Sequence, residues 1–241
     1  MCVRGRILTV ESPQAAREAR LLFQRAIALD PRYAEAYRWL AYNLLLGWLL
    51  WGEPTALNRR LALETAEKAL ALDPNDAGTH FTLGYLLAHE GCWPESDARF
   101  AAALELDPNH ADTWAVLSDL TTLSGRPTDA IEQLHRALRL NPHPASWYYW
   151  SLGQAQYAAR QYAAAVETLR REETYRTGSR RILAASLAQL GRMEEARQEA
   201  ELFMVSNPHF TISYWAATQP FRDEATRGHF IEGYRMAGLP E

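Results

Sequence analysis

Apolar residues along this chain recur at two spacings. Over stretches of about a dozen residues they fall three and four apart, the mark of one buried face on an α-helix. On a longer scale the whole pattern returns every 34 positions. The stretch Ala77–Pro142 shows this best, as AGTHFTLGYLLAHEGCWPESDARFAAALELDP followed by ADTWAVLSDLTTLSGRPTDAIEQLHRALRLNP. Pro74, Pro108 and Pro142 keep the interval of 34, as do Leu83 and Leu117, Gly91 and Gly125, Ala103 and Ala137. Each unit predicts a helix–turn–helix. A large residue (His80, Trp114) stands three before Leu83 or Leu117 on the first helix. Gly84 or Ser118 beside it lets the partner helix approach. Gly91 or Gly125 ends the first helix, because glycine accepts the left-handed cap. Phe100 or Leu134 fills the core from the second helix, Ala103 or Ala137 sits at the crossing, and Asp107-Pro108 or Asn141-Pro142 stops it.

A period of ~34 residues with Leu-Gly early, Ala and Phe/Leu late and Pro last resembles the tetratricopeptide repeat family. Leu83-Gly84, Gly91, Phe100, Ala103 and Pro108 carry the resemblance most fully. It implies an all-α, right-handed superhelical solenoid of helix pairs with a C-terminal capping helix, in which each repeat packs on its neighbours and no single central core exists. The chain then reads as one array over 1–241. Residues 14–31 form a half repeat, with Phe23, Ala26 and Pro31 in the second-helix slots. Its first helix should precede it, and residues 1–10 are either a stub of that helix or a sign that the sequence starts inside a repeat; the second reading is preferred. Next comes 34–74, with nine residues more than the period. The surplus falls at about 47–55, in GWLLWGEPT, and predicts either a lengthened helix pair or a turn tipped by Gly52 and Pro54. The repeats 77–108 and 111–142 follow, then a shortened one at 146–174, another at 177–208, and a tail at 211–241. The tail leaves the period. A short helix before Pro220 and a helix over about 222–236 ended by Gly238 are expected, with Phe221, Phe230, Ile231 and Tyr234 facing the array.

A narrower resemblance rests on VRGRILTVES, the insert GWLLWGEPT, LNPHPASWYYWSLGQAQY, RRILAASLAQLGR and WAATQPFRDEATRGHFIEGYRMAGLPE. These stretches are similar to the C-terminal repeat module of bacterial class III adenylate/guanylate cyclases, and also to modules behind some DNA-binding response regulators. The cyclase domain would lie upstream, so no cyclase activity is carried over. What the resemblance implies is a bacterial, cytoplasmic signalling part that docks, senses or oligomerises.

Composition narrows the functions. At 48% apolar and 22% charged residues the chain has the balance of a folded protein. A net charge of −4 gives no broad attraction to nucleic acid or anionic lipid. Cys2 and Cys92 have no metal-type spacing and make no disulfide framework, which suits a reducing cytoplasm. The opening MCVRGRILTVESPQ lacks the apolar core of a secretion signal. The apolar run Leu44–Trp51 is far below the ~18 residues of a membrane span, so no membrane insertion is expected.

Catalytic chemistry has little local support. There is no phosphate-cradling glycine loop, and no zinc spacing is present. His80 and His89 stand nine apart and read as packing and groove residues, not a metal pair. Glu172-Glu173 and Glu194-Glu195 read as solvated helix starts. The expectation is no enzyme, no cofactor and no metal.

The positive expectation is a groove lined by the first helices. Residues one after each large slot, and four further on, select Arg38 and Tyr42, Phe81 and Tyr85 with His89, Ala115 and Asp119, Trp150 and Gln154 with Tyr157, and Arg181 and Ala185. Aromatic side chains with a few charges suit a partner's extended peptide or helix. The plainer reading, packing between repeats, applies to Trp150, Tyr157, Phe81 and Tyr85 in particular. The Lys/Asn carboxylate clamp of some tetratricopeptide proteins is absent, since Tyr42, Phe81, Tyr85 and Ala115 stand in its slots. Trp48, Leu49, Leu50 and Trp51 are a candidate association patch if exposed, or else cover the open N-terminal end or the groove edge. A homo-oligomer through this insert or the open N-terminal end is a second expectation. Alternatives are a stand-alone adaptor and, further off, a small-molecule-binding solenoid.

Overall fold

The computed structural model describes residues 4–5, 12–51, 55–171 and 177–241, with all their side chains except those of residues 50, 51, 55 and 177. The described residues form helices and turns, with no strand among them. In order they are α1 (Pro13–Leu29), α2 (Ala34–Trp51), α3 (Thr55–Leu72), α4 (Ala77–His89), α5 (Trp93–Leu106), α6 (Ala111–Leu123), α7 (Pro127–Leu140), α8 (Trp147–Ala158), α9 (Tyr162–Leu169), a 3₁₀ turn (Thr177–Ser179), α10 (Arg180–Gln189), α11 (Met193–Ser206), α12 (Ile212–Thr218) and α13 (Glu224–Met236). Their contacts divide into two compact units, Met1–Pro108 and Asn109–Glu241.

The helix pairs α2–α3, α4–α5, α6–α7, α8–α9 and α10–α11 pack as the period requires. Small residues set how closely. A Cβ on Gly84 would lie 2.8 Å from the Phe100 ring, and one on Gly153 only 2.4 Å from Leu169. Ala62, Ala130, Ala165 and Ala196 are fully buried at the matching points of the second helices, where α5 has the buried Ser96. Phe100 and Leu134 fill the cores beside them; burying one such side chain contributes roughly 1.5–3 kcal/mol. A hydrogen bond from Ser96 Oγ to the Gly84 carbonyl (2.7 Å) ties α5 to α4.

The turns follow their residues. Gly91, Gly125 and Gly191 end α4, α6 and α10 with φ of 76°, 79° and 74°. After α8 the same left-handed slot holds Arg160, with φ 60°. An L side chain there costs about 1–2 kcal/mol. Asp76 caps α4 by accepting from Thr79 N at 2.9 Å, and His110 Nδ1 does the same for α6 from Thr113 N at 3.2 Å.

The irregular stretches resolve as follows. The surplus near residue 50 lengthens both helices: α2 and α3 have 18 residues each, against 13 and 14 in α4 and α5. The supposed tip at Gly52 and Pro54 lies outside the described residues, as do most of residues 1–10 and the pair Glu172-Glu173. The shortened repeat owes its length to α9, which has eight residues. In the half repeat, Ala19, Phe23 and Ala26 bury their face with α2 in one cluster.

The tail departs most from a plain end cap. Phe230 and Tyr234 are fully buried, and Phe221 and Ile231 pack partly buried on the same cluster. But α13 lies against α8 and α10, both first helices. Its leading residues reach α6, where Arg222 N and Asp223 N donate to the Leu123 carbonyl (3.0 and 3.2 Å). The tail therefore crosses the face of the first helices of the second unit, and does not merely close its end.

Candidate functional site

The residues selected from the period lie on two first-helix faces, one in each unit. In the first unit they sit on α2 and α4. Arg38 pairs with Asp76 (2.9 Å), the residue that caps α4, and its guanidinium stands 4.7 Å from the centre of the Trp39 ring. Its charge is thus spent at a helix start. Beyond it runs a row of rings. Trp39 meets Tyr42 edge-on at 5.8 Å, and Tyr42 meets Phe81 at 5.8 Å. Tyr85 lies 5.1 Å from His89, and His89 meets Trp48 edge-on at 4.7 Å. Edge-on pairs at these separations suit the ring quadrupoles. Tyr42, Trp48 and Tyr85 are half-buried, whereas Phe81 is buried and turned onto Phe100. Phe81 is therefore core, because the missing Cβ at Gly84 lets the Phe100 ring down between them.

Arg59 of α3 closes one end of the row. Its guanidinium stands 5.5 Å from the Trp48 ring centre, and it donates to the His89 carbonyl and, at 2.5 Å, to Glu90. Burial, with the Arg59 charge second, pushes the His89 imidazole down to about 3, so it is neutral at physiological pH. His89 Nε2 and Trp48 Nε1 are buried with no hydrogen-bond partner. Trp48 and Leu49 pack on the core of the unit, which places Trp48 at the edge of the ring row; the side chains of Leu50 and Trp51 lie outside the described residues.

The second face differs. Asp119 of α6 accepts a hydrogen bond from Gln154 Nε2 of α8. Burial raises the Asp119 carboxyl to about 6, against the opposing pull of Gln154 and of the Arg181 charge. Arg181 of α10 donates from Nε to Tyr234 Oη of α13 (3.2 Å) and stands 5.6 Å from the Trp215 ring centre. Tyr157 is fully buried: its hydroxyl donates to the His229 carbonyl (3.0 Å) and its ring stacks on the His229 ring at 4.7 Å. Gln154, Ala115 and Ala185 are buried as well, and Trp150 is half-buried against the same cluster. The expected open face is thus covered here by the tail. Tyr234 faces the array as expected, whereas His229, Gly233 and Trp215 are residues that the sequence reading did not point to; FIEGYRMA, with Phe230, Gly233, Tyr234 and Ala237 on one helical stripe, was the available signal for Gly233.

Other candidates take structural roles. His80 Nε2 is 2.9 Å from the Pro74 carbonyl. Glu195 accepts from Arg192 and Arg170 (2.7 Å each), and these bonds hold its carboxyl at about 2, too low for a general base at neutral pH. Among the described residues no three His, Cys, Asp or Glu side chains group to hold a metal ion, and no helix is long and apolar enough to cross a membrane.

Residues 124–179, which contain α7, α8 and α9, match the tetratricopeptide repeat family model. The helix pairs share the tetratricopeptide-repeat fold. The chain is similar in fold to Pseudomonas aeruginosa PilF, at 20% identity over 81% of this chain and 86% of that one, with a TM-score of 0.57. It is similar also to a chain of the APC/C hetero-tetramer Cut9-Hcn1, at 17% identity and a TM-score of 0.69. That match covers 82% of this chain and 38% of the other. No curated protein matches the chain by sequence. Tetratricopeptide repeats generally mediate protein–protein interaction and are generally non-catalytic scaffolds.

Proposed function

We propose that this chain is a non-catalytic interaction module that takes a peptide or helix of a protein partner on the first-helix face of its first unit. The observation that carries the reading is the ring row Trp39–Tyr42 and Tyr85–His89–Trp48, half-buried on α2 and α4. Rigid aromatic side chains give a large contact area at little entropic cost, and such residues dominate binding energy at interfaces. Trp48 Nε1 and the neutral His89 Nε2 are buried beside the rings with no hydrogen-bond partner. With Arg38 committed to Asp76, a partner's terminal carboxylate finds no free clamp there.

The module reading extends to a bacterial cytoplasmic signalling protein of the cyclase type, in which these repeats regulate or oligomerise the output domain. An in-frame cyclase domain upstream of Met1 in the gene supports that extension, and an upstream stop codon removes it. The binding reading is tested by selecting peptides from a random library on the intact chain. Tyr85→Ala and Tyr42→Ala are expected to weaken the selected peptide at least ~10-fold, the size of a single hot-spot loss. Substitution of Arg60, exposed on α3, should leave binding unchanged. Unaltered binding by both tyrosine variants refutes the assignment.

A further inference from the structure

The tail of the second unit is bound as a partner helix would be. Its anchors Phe230, Gly233, Tyr234 and Ala237 recur at one helical stripe, the spacing with which an amphipathic helix enters a groove. Phe230, Tyr234 and Ala237 are fully buried. Gly233 marks the closest approach: a Cβ there would fall 1.8 Å from Tyr157 Oη and 3.2 Å from Ala185. Gln154 and Ala185 belong to the same slot in successive first helices, and Tyr157 and Arg181 flank it. These are the positions from which the repeat pattern predicts partner contact.

The tail is also a unit in itself. Trp215 of α12 packs on Phe221 (5.6 Å), Phe230 (5.9 Å) and Tyr234 (4.8 Å), all within the tail. The Pro240 carbonyl accepts from Ile212 N at 2.8 Å, so the two ends of the segment are clipped together. Asp223 caps α13 internally by accepting from Thr226 N at 2.7 Å. Much of what gives the tail its shape would therefore travel with it.

We propose that residues 211–241 are a displaceable self-ligand, and that the face of α8 and α10 beneath them is a second helix-binding surface. Its partner is an amphipathic helix with two aromatic anchors four apart and a small residue just before the second, as in Phe230–Gly233–Tyr234. Release of the tail exposes Tyr157 and Arg181 to such a helix. The proposal rests on reading first-helix faces as binding surfaces, but its test needs no outside partner and so fails or stands independently of the first unit.

The experiment titrates a fluorescein-labelled peptide of residues 211–241 into the full chain and into full-chain Gly233→Leu, whose side chain must push α13 off Tyr157. The peptide is expected to bind Gly233→Leu at least ten times more tightly than it binds the wild-type chain, where the resident tail competes. Equal affinity, or no binding to a folded variant, overturns the proposal. Hydrogen exchange on the wild-type chain gives a second reading that does not depend on the variant folding. Amides of α13 should open at least ten times more often than those of α8 and α10. Exchange of α13 in step with α8 and α10 makes the tail a fixed part of the core and also overturns it.

Discussion

The two units present the same helix face and finish it in different ways. On α2 and α4 the selected slots hold Tyr42 and Tyr85, joined to a half-buried ring row. On α6, α8 and α10 they hold Asp119, Gln154 and Ala185; Asp119 and Gln154 are hydrogen-bonded to each other, and the chain lays its own helix against Ala185 and Tyr157. In the proposed reading, the aromatic slots keep contact area for a partner. Small and polar slots leave a bed into which α13 fits, with Gly233 as the point of closest approach. A repeat position therefore narrows where a side chain points, and the residues around it decide whether the face stays half-exposed or is covered from within the chain.

That contrast can be broken first in the second unit. Phe230→Ala removes a fully buried ring shared by α12, α13 and Tyr157. It should cost ~3–5 kcal/mol of the unit's stability, read by urea unfolding, while Tyr85→Ala on the half-buried face of the first unit should cost clearly less. Equal losses would mean that the two faces are covered to the same degree.

The units should also respond to pH in opposite senses. His89 has a folded pKa of about 3, well below its ordinary 6.5. Above pH 6.5 neither state is protonated. As pH falls below that value the unfolded chain gains a proton that the fold refuses, so stability falls by on the order of 1 kcal/mol per pH unit, until about pH 3. Asp119 has a folded pKa of about 6, above its ordinary 3.8. The fold keeps a proton that the unfolded chain releases, so its contribution is intact below pH 3.8 and is lost as pH rises through 6, on the order of 3 kcal/mol in all. Taken as differences from the wild-type chain, His89→Gln should gain relative stability as pH falls from 6.5 to 4, and Asp119→Asn should gain it as pH rises from 4 to 6.5. Differences that do not change over this range would remove both assignments.

The smallest expected effect concerns the turn where the repeats differ. Arg160→Gly restores the residue that α4, α6 and α10 carry at this slot and relieves a left-handed arginine. It should raise stability by up to ~1 kcal/mol in urea unfolding, whereas Gly125→Ala at the matching turn should lower it by a similar amount.

Much of the fold was legible from the period, because each repeat places its large and small residues in fixed slots that meet only in one packing. Gly84 and Gly153 lie where the pattern needs small residues, and Gly91 and Gly125 take up the left-handed caps. The candidate site was legible only in part. Phe81 has a groove slot by number, yet the space left by Gly84 draws it into the core with Phe100. Tyr157 has such a slot too, and is buried beneath a helix whose stripe could be read but whose docking place could not. The tail lies off the period, so no register assigns it neighbours; only the fold brings Tyr234 to Arg181. The lengthening of α2 and α3 was one of two readings of the insert, and spacing alone had no way to choose between them.

The difference between the two faces is tested most directly by hydroxyl-radical footprinting of the intact chain, read at single tyrosines. The structure predicts that Tyr42 and Tyr85 are modified readily and that Tyr157 and Tyr234 are protected, with Gly233→Leu raising the reactivity of Tyr157 towards that of Tyr85. Tyr157 as reactive as Tyr85 in the unaltered chain would contradict a second face occupied by the protein's own tail.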